Sequence, residues 1–321
     1  RGDQRTQECV DDCRRRRRPR RDQCKGQRLM PLCVYRAPGE ATGRRYGIVT
    51  PGSDVITRID TSIADLLRLT PAERTRRIAD LRSGAGPTIP LTSVELLAPV
   101  DRQEIWAAGV TYARSRDARM EESTQQDVYD RVYHAQRPEI FFKSQPDRCI
   151  GPGGTVAIRH DSAWNVPEPE LAVFFDASGA IAGFSIGNDV SSRSIEGENP
   201  LYLPQAKVYT ASCALGPWLV LPDEISDPMH LNIRLEIERP SAGGLFWADN
   251  ASTSQLRRTL DELGRCLYEA LEFPDGAVLL TGTCIVPPAE FTLAPGDMTH
   301  ISIEGIGTLT NTVRALQPKH H

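Results

Sequence analysis

Two glutamates flank a proline at the head of an apolar run, Glu168-Pro169-Glu170 followed by Leu171 to Phe175. In a β-strand alternate side chains share a face, so both carboxylates point the same way, about 7 Å apart. Like charges at this spacing, in so apolar a segment, require a cation or an opposite charge between them. The pattern therefore predicts a buried strand whose first residues place two carboxylates in the interior of the protein.

A third carboxylate and a lysine follow this strand. Asp189 lies in Gly187-Asn-Asp-Val190, and Lys207 comes after it. Three oxygen donors without a nearby His or Cys suit a hard ion, which we expect to be Mg²⁺, with Mn²⁺ or Ca²⁺ as alternatives. We predict that Glu168, Glu170 and Asp189 bind the metal. The alternatives are a solvated strand edge for the glutamates and a turn residue for Asp189, since Asn and Asp favour turns.

Lysine is rare in this chain, in which most positive charge is arginine. The only lysines are Lys25, Lys143, Lys207 and Lys319. An ammonium can lose its proton when buried and a guanidinium cannot, so a lysine in such a chain is a candidate for catalysis. We expect Lys143 and Lys207 to lie in the site. The alternative for each is a structural ion pair with a carboxylate.

Charge divides the chain at about residue 30. Residues 1–29 hold 11 basic and 5 acidic side chains, whereas residues 30–321 hold 27 basic and 37 acidic ones. The acidic body argues against nucleic acid as a partner. We expect residues 1–29 to be a disordered leader outside the natural protein, with a basic arm as the alternative reading. The body has no apolar run of the roughly 18 residues that a membrane span needs, which argues against a membrane partner.

The cysteines of the body indicate a reducing compartment. They are odd in number and scattered, without the CxxC pairs of a zinc site. We expect free thiols in a cytoplasmic protein. These residues are Cys33, Cys149, Cys213, Cys266 and Cys284.

Short strands punctuated by Gly and Pro dominate the body and predict an α+β fold that is mainly β. Residues 30–92 are expected to form a small N-terminal β domain and a linker over 83–92, and residues 93–318 the main domain. Thr70-Pro71-Ala-Glu73 is a capping box that begins a helix ending near Arg82. We expect a polar helical segment over 117–136 and an amphipathic helix over 254–272. Its predicted core stripe is Leu256, Leu260, Leu263, Leu267 and Leu271.

Seven separated motifs, in unbroken order between Leu96 and Val313, resemble the fumarylacetoacetate hydrolase family. They are Val166-Pro-Glu-Pro-Glu-Leu-Ala172, Gly187-Asn-Asp-Val-Ser-Ser-Arg193, Gln205-Ala-Lys207, Gly216-Pro-Trp218, Leu280-Thr-Gly-Thr283, Pro295-Gly-Asp297 and Gly305-Ile-Gly-Thr-Leu-Thr-Asn311. Within them the segments that start at Glu139, Ser194 and Thr283 are most similar to the branch typified by 2-keto-3-deoxy-D-arabinonate dehydratase. The resemblance implies a catalytic domain of layered β-sheets, Mg²⁺ on the three carboxylates, and a homodimer or homotetramer.

One departure from the family bears on the reaction. Hydrolase and decarboxylase members carry a motif similar to Asn-Tyr-x-x-His-x-x-Glu, whose His and Glu form a catalytic dyad. This chain reads Thr111-Tyr112-Ala-Arg-Ser115-Arg-Asp-Ala118, so Ser115 and Ala118 stand at those places. Neither side chain can activate a water molecule. His134 lies near in sequence, but a lone His on a polar helix is more often a surface residue.

The resemblance and the predicted metal together imply a dehydratase. A 2-oxo acid that chelates Mg²⁺ loses its C3 proton to give a stabilised enolate, which then expels water. Lys207, with a pKa lowered by the metal and by burial, is the expected base, and Glu139 the expected acid at the C4 hydroxyl. For Glu139 an ion pair with Arg137 is the alternative. The expected substrate is a 2-keto-3-deoxy-pentonate, and the product 2,5-dioxopentanoate.

Substrate contacts are assigned to the same segments. We expect Thr283 to hold the substrate carboxylate, Tyr112, Ser115 and Arg116 to read the sugar hydroxyls, and Lys143 to lie in the site. The alternative functions are an acylpyruvate hydrolase, a 2-oxo acid decarboxylase or a 2-hydroxyhepta-2,4-diene-1,7-dioate isomerase of the same family. A binding protein that acts through the basic leader is a third class.

Overall fold

The computed structural model describes residues 29–50, 53–122 and 126–318. Outside these ranges lie the predicted leader up to residue 28, with Cys9, Cys13, Cys24 and Lys25, and the C-terminal Lys319. Among the described residues, no helix is both long enough and apolar enough to cross a membrane.

The described residues form nineteen strands and seven α-helices. The strands are β1 (Leu32–Arg36), β2 (Arg45–Thr50), β3 (Val55–Ile59), β4 (Thr88–Pro90), β5 (Glu95–Leu97), β6 (Glu104–Gly109), β7 (Glu139–Ser144), β8 (Cys149–Ile150), β9 (Thr155–Ile158), β10 (Asn165–Val166), β11 (Pro169–Phe175), β12 (Ile181–Asp189), β13 (Ser191–Ser192), β14 (Cys213–Val220), β15 (Asn232–Arg239), β16 (Gly244–Ser252), β17 (Ala277–Leu280), β18 (Met298–Ile303) and β19 (Gly307–Ala315). The helices are α1 (Ile63–Leu67), α2 (Pro71–Ser83), α3 (Ala113–Glu122), α4 (Gln126–His134), α5 (Arg193–Glu198), α6 (Leu203–Lys207) and α7 (Leu260–Tyr268).

Most of these strands belong to two sheets. The larger has the order β4-β3-β2-β1-β14-β12-β11-β17-β6-β7, with β5 beside β1 and β8 beside β14. The smaller has the order β16-β15-β18-β19-β9, and β10 and β13 form a short ladder of their own. Antiparallel pairs predominate, and β8–β14, β17–β6 and β19–β9 are parallel. The predicted α+β class, mainly β, is confirmed.

Strand β11 lies at the centre of the larger sheet, between β12 and β17. Its alternate side chains enter different cores, as strand geometry requires. Leu171 and Val173 pack in the core between the two sheets, together with Ile233 and Ile301 of the smaller sheet. Phe174 packs on the other side with residues of α1 and α2. The apolar run after Glu170 is therefore buried on both faces.

The N-terminal strands extend the larger sheet, because β1 pairs with β14 at Leu32 and Leu219. Part of the predicted linker is the strand β4, which pairs with β3. The division into domains at residue 92 stays a prediction. Helix α2 begins as predicted, with a reciprocal capping box between Thr70 and Glu73.

Two helix predictions were wrong in extent. The polar segment predicted over 117–136 starts earlier, at Ala113, and its described parts are α3 and α4, the second of which ends at His134. The amphipathic helix begins at Leu260 rather than near residue 254, because the Thr259 side chain caps it by accepting from the Glu262 N–H. It ends at Tyr268, so Leu271 lies beyond the helix and is 42% exposed. Leu260, Leu263 and Leu267 are buried as predicted.

Candidate metal centre and active-site cleft

Two neighbouring antiparallel strands bring the three carboxylates together. Glu168 immediately precedes β11, Glu170 is its second residue, and Asp189 ends β12. The Asp189 N–H donates to the Glu168 carbonyl over 2.9 Å, which places the ends of the two strands side by side. One carboxylate oxygen from each residue lies within 4.8 Å of the other two, and all three residues are buried. The structure thus brings together the residues predicted as metal ligands.

The electrostatics of this cluster favour a bound cation. Burial raises the pKa of Glu170 well above its usual range, and the charges of Asp189 and Glu168 raise it further. Ionising all three carboxylates in a buried site costs free energy unless positive charge is added. The donor set is oxygen alone, which is what Mg²⁺ prefers. The residues therefore fit a hard divalent cation.

A backbone N–H orients Glu170 within the cluster. Gly282 donates to Glu170 Oε2 over 2.6 Å. At Gly282 φ is +94°, and a Cβ there would lie 1.9 Å from Thr111 Oγ1. Only glycine accepts this conformation and this contact, so the turn after β17 supplies a donor that a side chain would block.

Lys207, at the end of α6, lies against the metal ligands. Its Nζ is 2.5 Å from Glu168 Oε2, 3.3 Å from Asp189 Oδ2 and 2.6 Å from Ser191 Oγ. Burial by itself lowers the pKa of Lys207, but the charges of Asp189 and Glu168 outweigh burial and raise it. The predicted lowering of the pKa assumed a metal ion on the three carboxylates and stays a prediction.

Lys143 lies on β7 and is buried, but it does not line the cleft described below. Its Nζ is 2.5 Å from Asp189 Oδ1 and donates to the carbonyl oxygens of Val190, over 3.1 Å, and Lys207, over 2.6 Å. These contacts join the end of β12 to the end of α6. The structure therefore places Lys143 as a support of Asp189 and Lys207, which corresponds to the structural alternative.

Two arginines complete the charge network around Glu168. Arg119 Nη2 and Arg193 Nη2 lie 2.5 and 2.8 Å from Glu168 Oε1. Arg119 Nε also lies 3.1 Å from Glu196 Oε1. Although burial raises the pKa of Glu196, the charges of Arg119 and Lys207 outweigh it and lower the pKa.

Sequence reasoning missed Arg119, Arg193 and Glu196. A weak signal for Arg119 was present, because it stands four residues after Ser115 and so shares a face of the helix with it. Arg193 lies inside a motif that carried the family resemblance, and Glu196 follows it by three residues.

Glu139 begins β7 and lies opposite Gly109 of β6. Part of its side chain is exposed, but enough protein surrounds the carboxyl that burial raises its pKa to about 7, with Glu196 as the next cause. A carboxyl with such a pKa is partly protonated at neutral pH and can donate a proton.

These groups surround one cleft. It is lined by Ala108, Gly109, Val110, Ser115, Arg119, Glu139, Phe141, Glu168, Glu170, Asp189, Glu196, Leu203, Lys207, Gly282 and Thr283. The structure thus brings together all three predicted metal ligands, both predicted catalytic residues and two of the five predicted substrate contacts, Ser115 and Thr283.

The remaining predicted contacts, besides Lys143, do not line the cleft. Tyr112 is buried in the core between the sheets. Arg116 Nη2 lies 2.6 Å from Asp117 Oδ1, and its guanidinium stacks on the ring of Tyr133. His134 is exposed, and its Nε2 is 3.5 Å from Asp130 Oδ1.

Comparisons with known proteins found one family model and several similar sequences. The family model described as "Fumarylacetoacetate (FAA) hydrolase C-terminal" matches residues 104–314. The chain is 52% identical over 215 residues to the "Probable 2-keto-3-deoxyxylonate dehydratase" of Haloferax volcanii. This alignment covers 67% of this chain and 73% of that protein. It is 42% identical over 228 residues to the 2-dehydro-3-deoxy-D-arabinonate dehydratase of Saccharolobus solfataricus. This alignment covers 70% of this chain and 76% of the relative.

A solved structure has a similar fold. It is a 2-keto-3-deoxy-D-arabinonate dehydratase complexed with magnesium and 2,5-dioxopentanoate. The TM-score is 0.76 at 34% sequence identity, over 90% of this chain and 100% of that one.

Proposed function

Because this chain belongs to the fumarylacetoacetate hydrolase family, we propose that it is a Mg²⁺-dependent dehydratase of a 2-keto-3-deoxy sugar acid. The proposed reaction converts a 2-keto-3-deoxy-pentonate to 2,5-dioxopentanoate and water. The three relatives named above support this substrate class, since all are named as dehydratases of such acids and one was solved with this product.

The observation that carries the proposal is the composition of the cleft. Three buried carboxylates offer an all-oxygen set of ligands for a metal ion, and Ser115 lines the cleft at the position where the hydrolases of the family carry His. No histidine is among the described residues that line the cleft. Without the His and Glu dyad that would activate water, elimination of water is favoured over hydrolysis of a carbon–carbon bond.

Bound Mg²⁺ would withdraw electron density from the 2-oxo acid and favour loss of its C3 proton. Glu168, Glu170 and Asp189 would hold it. We propose that Lys207 Nζ accepts and then holds the C3 proton; it would do so as a neutral amine, because Mg²⁺ held by Glu168 and Asp189 would offset the two charges that raise the pKa of Lys207.

We propose that Glu139 protonates the departing C4 hydroxyl. Its pKa of about 7 keeps a fraction of the carboxyl protonated at neutral pH, which a general acid requires. Loss of water leaves an unsaturated 2-oxo acid that still carries the terminal hydroxyl, and its tautomerisation gives the aldehyde. Thr283 and Ser115 are proposed to bind the substrate carboxylate and a sugar hydroxyl, because both line the same cleft.

The test is a panel of 2-keto-3-deoxy pentonates, hexonates and 6-deoxyhexonates, assayed with Mg²⁺ for the dioxo acid that dehydration gives, which is an aldehyde from a pentonate and a ketone from the other two. We expect turnover of at least one pentonate, its loss on addition of EDTA and its return with excess Mg²⁺. Lys207→Ala should lose most of the turnover, whereas Glu290→Gln, at an exposed position, should keep it. Failure to form the dioxo acid from any of these substrates would refute the proposal. Faster loss of the ultraviolet absorbance of an acylpyruvate would favour a hydrolase instead.

We further propose a cytoplasmic homodimer or homotetramer that binds no nucleic acid. The five described cysteines are free thiols, which suits a reducing compartment. Leu245 and Phe246 of β16 are 64% and 44% exposed, and exposed apolar side chains of this size are frequent at subunit interfaces. Sedimentation equilibrium checks the assembly, and a monomer at micromolar concentration would contradict it.

A further inference from the structure

The carboxylate of Glu196 is only half satisfied. Its Oε1 is 3.1 Å from Arg119 Nε, whereas Oε2 is buried and accepts no hydrogen bond from the described residues. Arg193 Nε lies 4.0 Å from Oε2, beyond hydrogen-bond distance. The residue is 6% exposed. A buried carboxylate oxygen without a donor is costly, so this atom is suited to a donor that arrives with a ligand.

Glu196 lines the same cleft as the metal ligands. The guanidinium of Arg119 bridges Glu196 and Glu168, which places the two carboxylates within about 8 Å of each other. The charge of Glu196 also raises the pKa of Glu139, so these two carboxyls are neighbours. In an extended five-carbon 2-oxo acid the terminal hydroxyl lies about 5 Å from the keto carbon. A substrate held at the metal ligands therefore has the reach to bring this hydroxyl toward Glu196.

We propose that Glu196 Oε2 accepts a hydrogen bond from the terminal hydroxyl of the sugar acid, which makes Glu196 a specificity-determining residue. This inference rests on the proposed function. It assigns a binding partner to the end of the substrate that the metal ligands do not contact. The C4 hydroxyl leaves in the reaction, so the C5 hydroxyl is the donor that a pentonate retains.

The same carboxylate selects against other 2-oxo acids. A substrate with an apolar tail leaves Oε2 without a donor in a desolvated site, and an analogue that lacks a recognised hydroxyl is rejected strongly in such sites. A substrate with a second carboxylate at its far end meets the negative charge of Glu196. The cleft thus favours a neutral hydroxylated tail.

The experiment compares two substrates that differ only in this hydroxyl. They are 2-keto-3-deoxy-pentonate and its 5-deoxy analogue, 4-hydroxy-2-oxopentanoate, both assayed with Mg²⁺ by loss of the C4 proton signal in NMR spectra. The quantity measured is the ratio of kcat/KM for the pentonate to kcat/KM for the analogue. Glu196→Ala removes the hydrogen-bond acceptor, and Glu196→Gln removes its charge but keeps a side chain of similar shape. Glu198→Gln is the control, because it removes an exposed charge on the same helix.

We expect the ratio to fall about 10- to 100-fold in Glu196→Ala, because a hydrogen bond to a charged acceptor is lost. It should fall less in Glu196→Gln and stay unchanged in Glu198→Gln. If Glu196 only supports Arg119, both substrates will slow equally and the ratio will stay constant, which overturns the inference. A wild-type enzyme inactive on both substrates would instead overturn the proposed function and, with it, this inference.

Discussion

Replacement of Gly109 by alanine should displace the proposed general acid without unfolding the protein. Gly109 and Glu139 are directly opposed on β6 and β7, and the carboxyl lies over the glycine. A Cβ at position 109 would be 2.0 Å from Glu139 Oε2 and 2.7 Å from its Cδ. Ordinary van der Waals contact begins at 3.4 Å, so the carboxylate has to retreat by about 1.4 Å.

This displacement sets the expected size of the effect. A misplacement of about 1 Å in an active site costs roughly 100-fold in rate, so we expect kcat of Gly109→Ala to fall by about this factor. KM should change less, because protonation of the leaving hydroxyl belongs to the transition state. The midpoint of thermal unfolding should move by only a few degrees, since Ala replaces Gly in a strand, where Gly is unfavourable by about 1 kcal/mol.

Steady-state kinetics with 2-keto-3-deoxy-pentonate and a thermal melt measure these quantities. Glu139→Asp provides the matched control, because its carboxyl is one methylene shorter and leaves room for the new Cβ. The double variant Gly109→Ala/Glu139→Asp should be no slower than Glu139→Asp alone. A kcat of Gly109→Ala equal to that of the wild type would refute the reasoning. So would a double variant whose loss in kcat is the product of the losses in the two single variants.

Three further predictions follow from the charged groups. Glu170→Gln should weaken Mg²⁺ binding at least 10-fold in calorimetry, because it removes one of three ligands; unchanged affinity would contradict the metal site. Glu139 must be protonated to act as an acid, so kcat should fall as pH rises through about 7, and this limb should vanish in Glu139→Gln. The buried pair of Asp176 and Arg74, 2.6 Å apart, should contribute about 3 kcal/mol at pH 7, measured as the loss in free energy of unfolding in Asp176→Asn. Burial raises the pKa of Asp176, but the hydrogen bond from Ser178 and the ion pair with Arg74 outweigh burial and lower it. The stabilisation is therefore present above the ordinary pKa of 3.8 and is lost as the pH falls below that value. An equal loss of unfolding free energy in Asp176→Asn at pH 7 and at pH 3 would argue against the pair.

Much of the site was predictable because its signals are local. Strand periodicity places Glu168 and Glu170 on one face, and the apolar residues after them indicate a buried strand. The Thr70 capping box depends on four consecutive residues and was confirmed. By contrast, the extent of helix α7 depends on where the chain packs against the sheets, so the leucine periodicity extended the prediction too far, to Leu271.

The sequence by itself determined the carboxylate pattern, the mainly β fold class, the family and the likeness to its dehydratase branch. The carboxylate pattern and the fold class follow from residue order and strand periodicity, whereas the family and its branch were inferred from the resemblance of the motifs. Only the tertiary structure determined which charged side chains form ion pairs and hydrogen bonds with one another. Arg119 and Glu168 are separated by 49 positions yet form an ion pair, and Glu170 receives its hydrogen bond from Gly282, across 112 positions.

Such contacts depend on strand order and register, which local patterns do not specify. For the same reason only the folded sheet brings Glu168 and Asp189, whose charges raise the pKa of Lys207, to the end of α6.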